Sequence, residues 1–263
     1  MKYFFLLKKT ILFLFLVLLF SCTSKKDIIY YQDIDTLGAQ EKSTSYEIKI
    51  QPDDLLMIIV SAEDPEIAIP FNLPTSSVPT ADRPDAIGQQ STQLYLVDVN
   101  GIIDFPILGN LKISGLTRSE VIKILQDKIA VFIKNPIINL RIMNFKYSVQ
   151  GEVTSPGTYN VASERITLIE ALSKAGDLTI YGKRNSILII REIDGVKSYN
   201  RVDITKAGFI NSPFYYLAQN DVVYVEPNKS RINAAAVGPN TGVIISVSSL
   251  LITLITLIIT SSK

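Results

Sequence analysis

Thr117-Arg118-Ser119-Glu120-Val121-Ile122-Lys123-Ile124-Leu125-Gln126-Asp127-Lys128-Ile129-Ala130-Val131-Phe132-Ile133-Lys134-Asn135-Pro136 reads as one helix with both ends marked. Thr117 and Glu120 fit a capping box, in which each side chain satisfies a backbone N–H that the first turn leaves free. Val121, Leu125, Ile129 and Phe132 share one face, and Asn135-Pro136 stops the helix. Beyond the stop, Ile138, Leu140 and Ile142 alternate with Asn139 and Arg141, the period of a half-buried strand. Thr167-Leu168-Ile169-Glu170 repeats the capping signal, with Leu168, Leu172 and Ala175 as the core face and Gly176 as a left-handed cap. Strand-helix-strand thus occurs twice, with too few helices for a doubly wound sheet, and two small α+β domains rich in β-structure are expected.

Working outward, Tyr46 to Ile50 alternates as a strand, Gln51-Pro52-Asp53-Asp54 turns, and Leu55 to Val60 is a more buried strand. From residue 63 to 93 the chain carries Pro65, Pro70, Pro74, Pro79 and Pro84 among many Ser, Thr and Gln residues, the composition of a long inserted loop. Leu94 to Val99 resumes a strand, Asn100-Gly101 supplies hairpin chemistry, and Ile102 to Phe105 returns before Pro106 and Gly109. Tyr147 to Val153, Ile187 to Ile190 and Val222 to Val225 are further strands, and Ser155-Pro156-Gly157-Thr158 has the proline and glycine of a type II turn.

Both ends carry membrane signals. Lys2, Lys8 and Lys9 precede the apolar run Ile11 to Phe20, and Leu18-Leu19-Phe20-Ser21-Cys22 then presents the single cysteine. This resembles the bacterial lipoprotein signal, whose cysteine becomes the lipidated first residue of the mature chain. Residues 1–21 are therefore expected to be a signal peptide and residues 22–45 a lipidated tether, on which Ile28-Ile29-Tyr30-Tyr31 is able to dock. Thr23 and Ser24 offer no inner-membrane retention aspartate, so the outer membrane is the expected destination.

At the other end, residues 229–263 form a linker and an apolar tail. The eighteen residues Val243 to Thr260 would rise roughly 27 Å as a helix, which predicts a C-terminal transmembrane helix. Ser246, Ser249, Thr253, Thr256 and Thr260 recur at spacings of 3 and 4, a hydroxyl stripe facing a neighbouring helix or water. Gly238, Gly242 and Ser246 continue it with the spacing that permits close helix approach. The plain alternative is that these hydroxyls bond back to carbonyls of their own helix.

Composition narrows the chemistry. With residues 1–21 removed, 23 basic and 25 acidic residues remain, a balance that gives no general electrostatic reason to bind nucleic acid. The chain has no histidine, so no Ser-His-Asp or Cys-His arrangement exists and no imidazole can ligate zinc. There is no glycine-rich phosphate loop. Asp53-Asp54 and Glu63-Asp64 are read as solvated acids at a turn and a strand end rather than catalytic pairs. No catalytic residue, metal ligand or cofactor site is assigned, and the chain reads as a non-enzyme.

The order of the pieces is recognisable. Asp104-Phe105-Pro106-Ile107-Leu108-Gly109, Ser114-Gly115-Leu116-Thr117 and Lys134-Asn135-Pro136 resemble the polysaccharide export domain of Wza-like outer-membrane translocons. Val149-Gln150-Gly151-Glu152-Val153, Pro156-Gly157-Thr158-Tyr159, Thr167-Leu168, Ala175-Gly176 and Asn220-Asp221-Val222-Val223-Tyr224-Val225 are similar to that family's soluble-ligand-binding β-grasp (SLBB) domain. The resemblance implies an export domain over 46–145, containing the 63–93 insert, and one SLBB domain over 146–228. It further implies an outer-membrane lipoprotein, mostly periplasmic, that forms a homo-oligomeric ring or channel for capsular polysaccharide or exopolysaccharide. An inner-membrane polysaccharide co-polymerase or tyrosine kinase would be its partner. The rival readings are a periplasmic SLBB-type ligand-binding or scaffold lipoprotein with a C-terminal anchor, and a carboxylate-dependent glycan hydrolase. This chain departs from the family in carrying one β-grasp domain, in having Gln51-Pro52-Asp53-Asp54 where many relatives have Pro-Gly-Asp, and in the length of its insert.

Overall fold

The computed structural model describes residues 25–36, 46–74, 76–77, 90–91, 93–193, 195–236 and 240–261. Strand β1 (Leu55–Ser61) is the centre of a three-stranded antiparallel sheet, between β4 (Tyr95–Leu96) and β7 (Ile137–Ile142). Two-residue strands β2 (Ser76–Ser77) and β3 (Gln90–Ser91) pair within the proline-rich insert, and β5 (Ile102–Phe105) forms a hairpin with β6 (Gly109–Lys112). Helix α1 (Arg118–Ile129) lies against β7. Its capping box is present as expected: Thr117 N donates to Glu120 Oε2 at 2.7 Å, and Glu120 N donates to Thr117 Oγ1 at 3.3 Å.

Val121, Leu125 and Ile129 are fully buried against Leu56, Val97, Phe105 and Leu140, and burial of each such side chain contributes about 1.5–3 kcal/mol. The fourth residue expected on that face is not there. Phe132 is 57 % exposed and Ile133, at 3 %, is inside. The helix ends at Ala130, where its N–H still bonds to Gln126 O, so the 3.6-residue period does not continue to Phe132.

The second sheet has the order β11-β10-β12-β8-β9. Its strands are β8 (Lys146–Gly151), β9 (Gly157–Asn160), β10 (Gly182–Ile193), β11 (Val196–Val202) and β12 (Val222–Pro227). Only β12 and β8 run parallel. Helix α2 (Leu168–Lys174) contributes Leu168, Ala171 and Leu172 to a core shared with Tyr147, Val149, Ile187, Ile189 and Val223. Gly176 takes φ +74, the left-handed conformation expected of a helix cap. Gly151 takes φ +90 and a Cβ there would lie 2.1 Å from Val225 O, so the parallel β8–β12 junction requires glycine.

Two turn and strand expectations are corrected. Gly157 is not among the residues with positive φ and enters β9 directly, so Ser155 to Thr158 is not a type II turn. Tyr46 to Ile50 is extended but joins no sheet; it makes one bridge, Lys49 with Thr117, and Ile48 and Ile50 are buried.

The expected C-terminal transmembrane helix is also corrected. A short helix α3 (Lys229–Ala236) follows the second sheet, and α4 (Asn240–Ser261) is helical over 22 residues. Among the described residues, however, no helix is long and apolar enough to cross a membrane. The apolar run of α4 is interrupted by hydroxyl residues at eight of the 22 positions, Thr241, Ser246, Ser248, Ser249, Thr253, Thr256, Thr260 and Ser261. The architecture is two β-rich α/β units followed by exposed helices.

The N-terminal segment docks on the second unit. Tyr31 N donates to Ile204 O at 3.3 Å and Gln32 N to Thr205 O at 2.8 Å. Tyr31 stacks on Phe209 with ring centroids 5.6 Å apart, and Tyr30 OH donates to Asp177 Oδ1 at 2.6 Å beneath the Arg184 guanidinium. The Tyr30-Tyr31 pair therefore holds residues 25–36 to the sheet instead of leaving them as a free tether.

Candidate functional site

Asn144 lies at the joint between the two units, between Met143, after β7, and Phe145, before β8. Its Oδ1 accepts from Leu55 N and its Nδ2 donates to Asp53 O, both at 2.9 Å, while its carbonyl accepts from Gln219 Nε2 at 3.0 Å. Gln219 Oε1 in turn accepts from Lys146 N at 2.8 Å. One amide from each unit thus satisfies backbone groups of the joint, where an unmade bond costs about 1–3 kcal/mol.

Beside this joint, Asp54 is fully buried. Its Oδ2 accepts from Gln51 N at 2.9 Å, and Oδ1 has no partner among the described residues. Burial pushes the carboxyl up to about 6, against the lowering effect of the hydrogen bond from Gln51 N, with nearby Asp53 adding to the rise. Asp54 is therefore not the solvated acid expected from its turn sequence. Asp53 is exposed, with φ +68, and so occupies the left-handed conformation that glycine adopts without strain. Asp53→Gly is expected to raise stability by about 1 kcal/mol, seen as a higher urea midpoint; an unchanged or lower midpoint would show that Asp53 is unstrained.

Between the units lies a cleft of about 910 Å³. Arg118 reaches it from the first turn of α1, Arg141 from the outer strand β7, and Arg165 from the loop before α2. Arg118 Nε donates to Leu140 O at 2.7 Å, and its guanidinium lies 3.5 Å from Glu164, which is well exposed. That ion pair crosses the cleft between the units but is screened by water and contributes little. Glu47 is occupied by Ser119, whose Oγ donates to it at 3.0 Å. Arg165 lies over the Tyr216 ring at 5.3 Å, and Tyr216 stacks on Tyr46 at 5.0 Å. Ile48, Ile142 and Phe145 complete an apolar floor.

The Tyr216 side of the cleft is fixed by a buried ion pair. Arg191 Nε and Nη2 donate to Asp221 at 2.6–3.2 Å, and the same guanidinium donates to Tyr216 O at 2.9 Å and Pro213 O at 3.3 Å. Burial opposes the Arg191 charge, but the hydrogen bonds and field of Asp221 outweigh it and hold its pKa above the ordinary arginine value. Ala218 N also donates to Asp221, at 2.8 Å.

The residues singled out in the sequence fall elsewhere. Cys22 and Gly238, and the side chain of Thr260, lie outside the described residues. In α4, Ser246 Oγ donates to Gly242 O, Ser249 Oγ to Ser246 O and Thr253 Oγ1 to Ser249 O, each at 2.8 Å. Thr256 Oγ1 likewise bonds to Ile252 O and Thr253 O. These hydroxyls satisfy carbonyls of their own helix, and nothing lies within 4 Å of the Cβ that Gly242 lacks. Asp64 caps a helical turn by accepting from Glu66 N at 3.0 Å, and Glu63 is exposed. No group of three carboxylates or other ligands suited to a metal ion occurs among the described residues.

Comparison with known proteins divides the chain at the same joint. Residues 42–143 match the family described as polysaccharide biosynthesis/export protein, and residues 145–225 match the SLBB domain. The chain is 31 % identical over 218 residues to the EPS I polysaccharide export outer membrane protein EpsA of Ralstonia solanacearum, covering 80 % of this chain and 55 % of that protein. It is 33 % identical over 166 residues to the protein of the same name from Ralstonia nicotianae, covering 61 % and 42 %. The chain thus spans about half the length of the curated relatives it matches. With the two matches meeting at Asn144, residues 42–143 carry a polysaccharide biosynthesis/export domain and residues 145–225 an SLBB domain directly after it.

Proposed function

We propose that this protein is an outer-membrane lipoprotein, anchored through Cys22 and mostly periplasmic, that assembles with copies of itself into a ring or channel for export of capsular polysaccharide or exopolysaccharide. The observation that carries the reading is the export domain of this chain followed directly by an SLBB domain, together with its similarity to proteins named for polysaccharide export at the outer membrane. The lipoprotein-type sequence ending in Cys22 supports the anchor. The uncovered aliphatic side chains of α4, Leu250 at 64 % exposure among them, support packing against other copies. Transport is passive, with energy and control supplied by an inner-membrane polysaccharide co-polymerase or tyrosine kinase. The absence of histidine and the role of Asp64 as a cap support a protein without catalysis.

Deletion of the gene, with complementation, tests the reading through the polymer recovered outside the cell. Loss of external polymer on deletion is expected, together with an oligomer in the native mass of the detergent-extracted protein. Normal export with a stable monomer would replace the export reading with a ligand-binding or scaffold lipoprotein. Cys22→Ala is expected to remove the protein from the outer-membrane fraction; unchanged fractionation would refute the lipid anchor.

A further inference from the structure

The cleft between the domains sets three arginines against two carboxylates, Glu47 held by Ser119 and Glu164 paired with Arg118. Arg118, Arg141 and Arg165 line it from three separate elements and from both domains. Arg118 is held by Leu140 O and Glu164. Arg141 makes no ion pair among the described residues, and Arg165 rests on an aromatic ring instead of a carboxylate. Two guanidiniums therefore remain available, and their planar donor sets match carboxylates in pairs of parallel hydrogen bonds.

The rest of the lining is suited to sugar. Asn160 offers an amide and Ser163, whose Oγ donates to Arg165 O at 2.8 Å, an acceptor oxygen, while Tyr46 and Ile142 provide apolar surface. A volume of about 910 Å³ admits a short oligosaccharide.

We propose that this cleft binds an anionic segment of a glycan, with uronate-type carboxylates on Arg141 and Arg165 and a sugar face against Tyr46. Because Arg141 belongs to the export domain and Arg165 to the SLBB domain, one bound segment bridges the two. Binding also competes with the weak Arg118–Glu164 contact by bringing a second anion to the same rim. That the segment is part of the exported polymer rests on the export reading; that the cleft selects an acidic sugar does not.

The test uses the purified full chain in detergent at low ionic strength, with fluorescently labelled tetragalacturonate and labelled maltotetraose as probes. Tetragalacturonate is expected to bind, and maltotetraose to bind far more weakly. Arg141→Gln with Arg165→Gln is expected to weaken tetragalacturonate binding about tenfold or more, at an unchanged melting temperature. Arg201→Gln, on β11 and outside the cleft, is expected to leave it unchanged. Equal affinity for the two sugars, no detectable binding, or full affinity in the double variant would overturn the proposal. A polyglutamate peptide that binds as tightly as the uronate would reassign the cleft to an acidic protein segment. In cells, export lost on deletion but normal in the double variant would sink the cleft's role while leaving the export reading intact. Export unaffected by deletion would remove the export reading without touching the binding result.

Discussion

Asp221→Ala is expected to destabilise the SLBB domain by about 3–5 kcal/mol, the loss associated with removing one partner of a buried ion pair. Asp221 is fully buried and carries Arg191 in a two-pronged pairing, with a further hydrogen bond from Ala218 N. Its removal leaves the Arg191 guanidinium in the interior with only the carbonyls of Pro213 and Tyr216. An arginine does not discharge to escape such a site. For a domain of this size the loss corresponds to roughly 15–30 °C in melting temperature. The effect also reaches the cleft, because Arg191 holds the carbonyl of Tyr216, whose ring lies between Tyr46 and Arg165. Calorimetry checks the prediction by resolving the SLBB transition; a shift of only a few degrees would mean that the pair adds little to stability. Arg191→Leu is expected to cost less below pH 5 than at pH 7.5, since the orphaned Asp221 carboxyl is able to take a proton.

The parts of this fold that were legible in the sequence are those decided within a few residues. The two capping boxes are local contracts between Thr117 and Glu120 and between Thr167 and Glu170, and both are present. Gly176 caps its helix for the same reason. Phe132 was misplaced because apolar spacing alone does not say where a helix stops, and Ala130 ends α1 before Phe132 can face the core. Strand β11 was invisible: Val196-Lys197-Ser198-Tyr199-Asn200-Arg201 is mostly exposed at a sheet edge and shows no buried alternation until Val202. The tail illustrates the opposite error, in which apolar composition predicted a crossing that the described part of α4 does not sustain.

The cleft was illegible for a different reason. Arg118, Arg141 and Arg165 are separated by more than twenty residues each, and every one of them is unremarkable where it stands: the first turn of a helix, the outer face of a strand, a loop. Their convergence depends on how the two domains are set at Asn144, which is a property of long-range packing. Asn144 itself gave one signal. It lies between an alternating strand and the next apolar run, where a side chain able both to donate and to accept is suited to fastening a break in the ladder.

Stability is expected to fall as pH rises from about 4 to about 6 through Asp54, opposite in sign to the usual behaviour of a paired carboxylate. The folded-state pKa of Asp54 is about 6, against 3.8 as its ordinary value, because burial disfavours the charged form more than the hydrogen bond from Gln51 N favours it. Between those two values the folded state retains a proton that the unfolded state has lost, so each unit of pH removes about 1.4 kcal/mol. The contribution is fully present below the unfolded value and is lost once pH passes the folded value, a total of roughly 2–3 kcal/mol. Asp54→Asn removes the titration. Its carbonyl oxygen is able to keep the bond from Gln51 N, while its new amide stands where Oδ1 has no partner and costs about 1–2 kcal/mol. The variant is therefore expected to be about 1 kcal/mol more stable than the parent at pH 7.5 and less stable at pH 4, with the two curves crossing between. Urea unfolding at pH 4, 5, 6 and 7.5 separates the outcomes, because every other titrating group is common to both proteins. A difference between variant and parent that stays constant across that range would mean that Asp54 ionises normally in the folded protein.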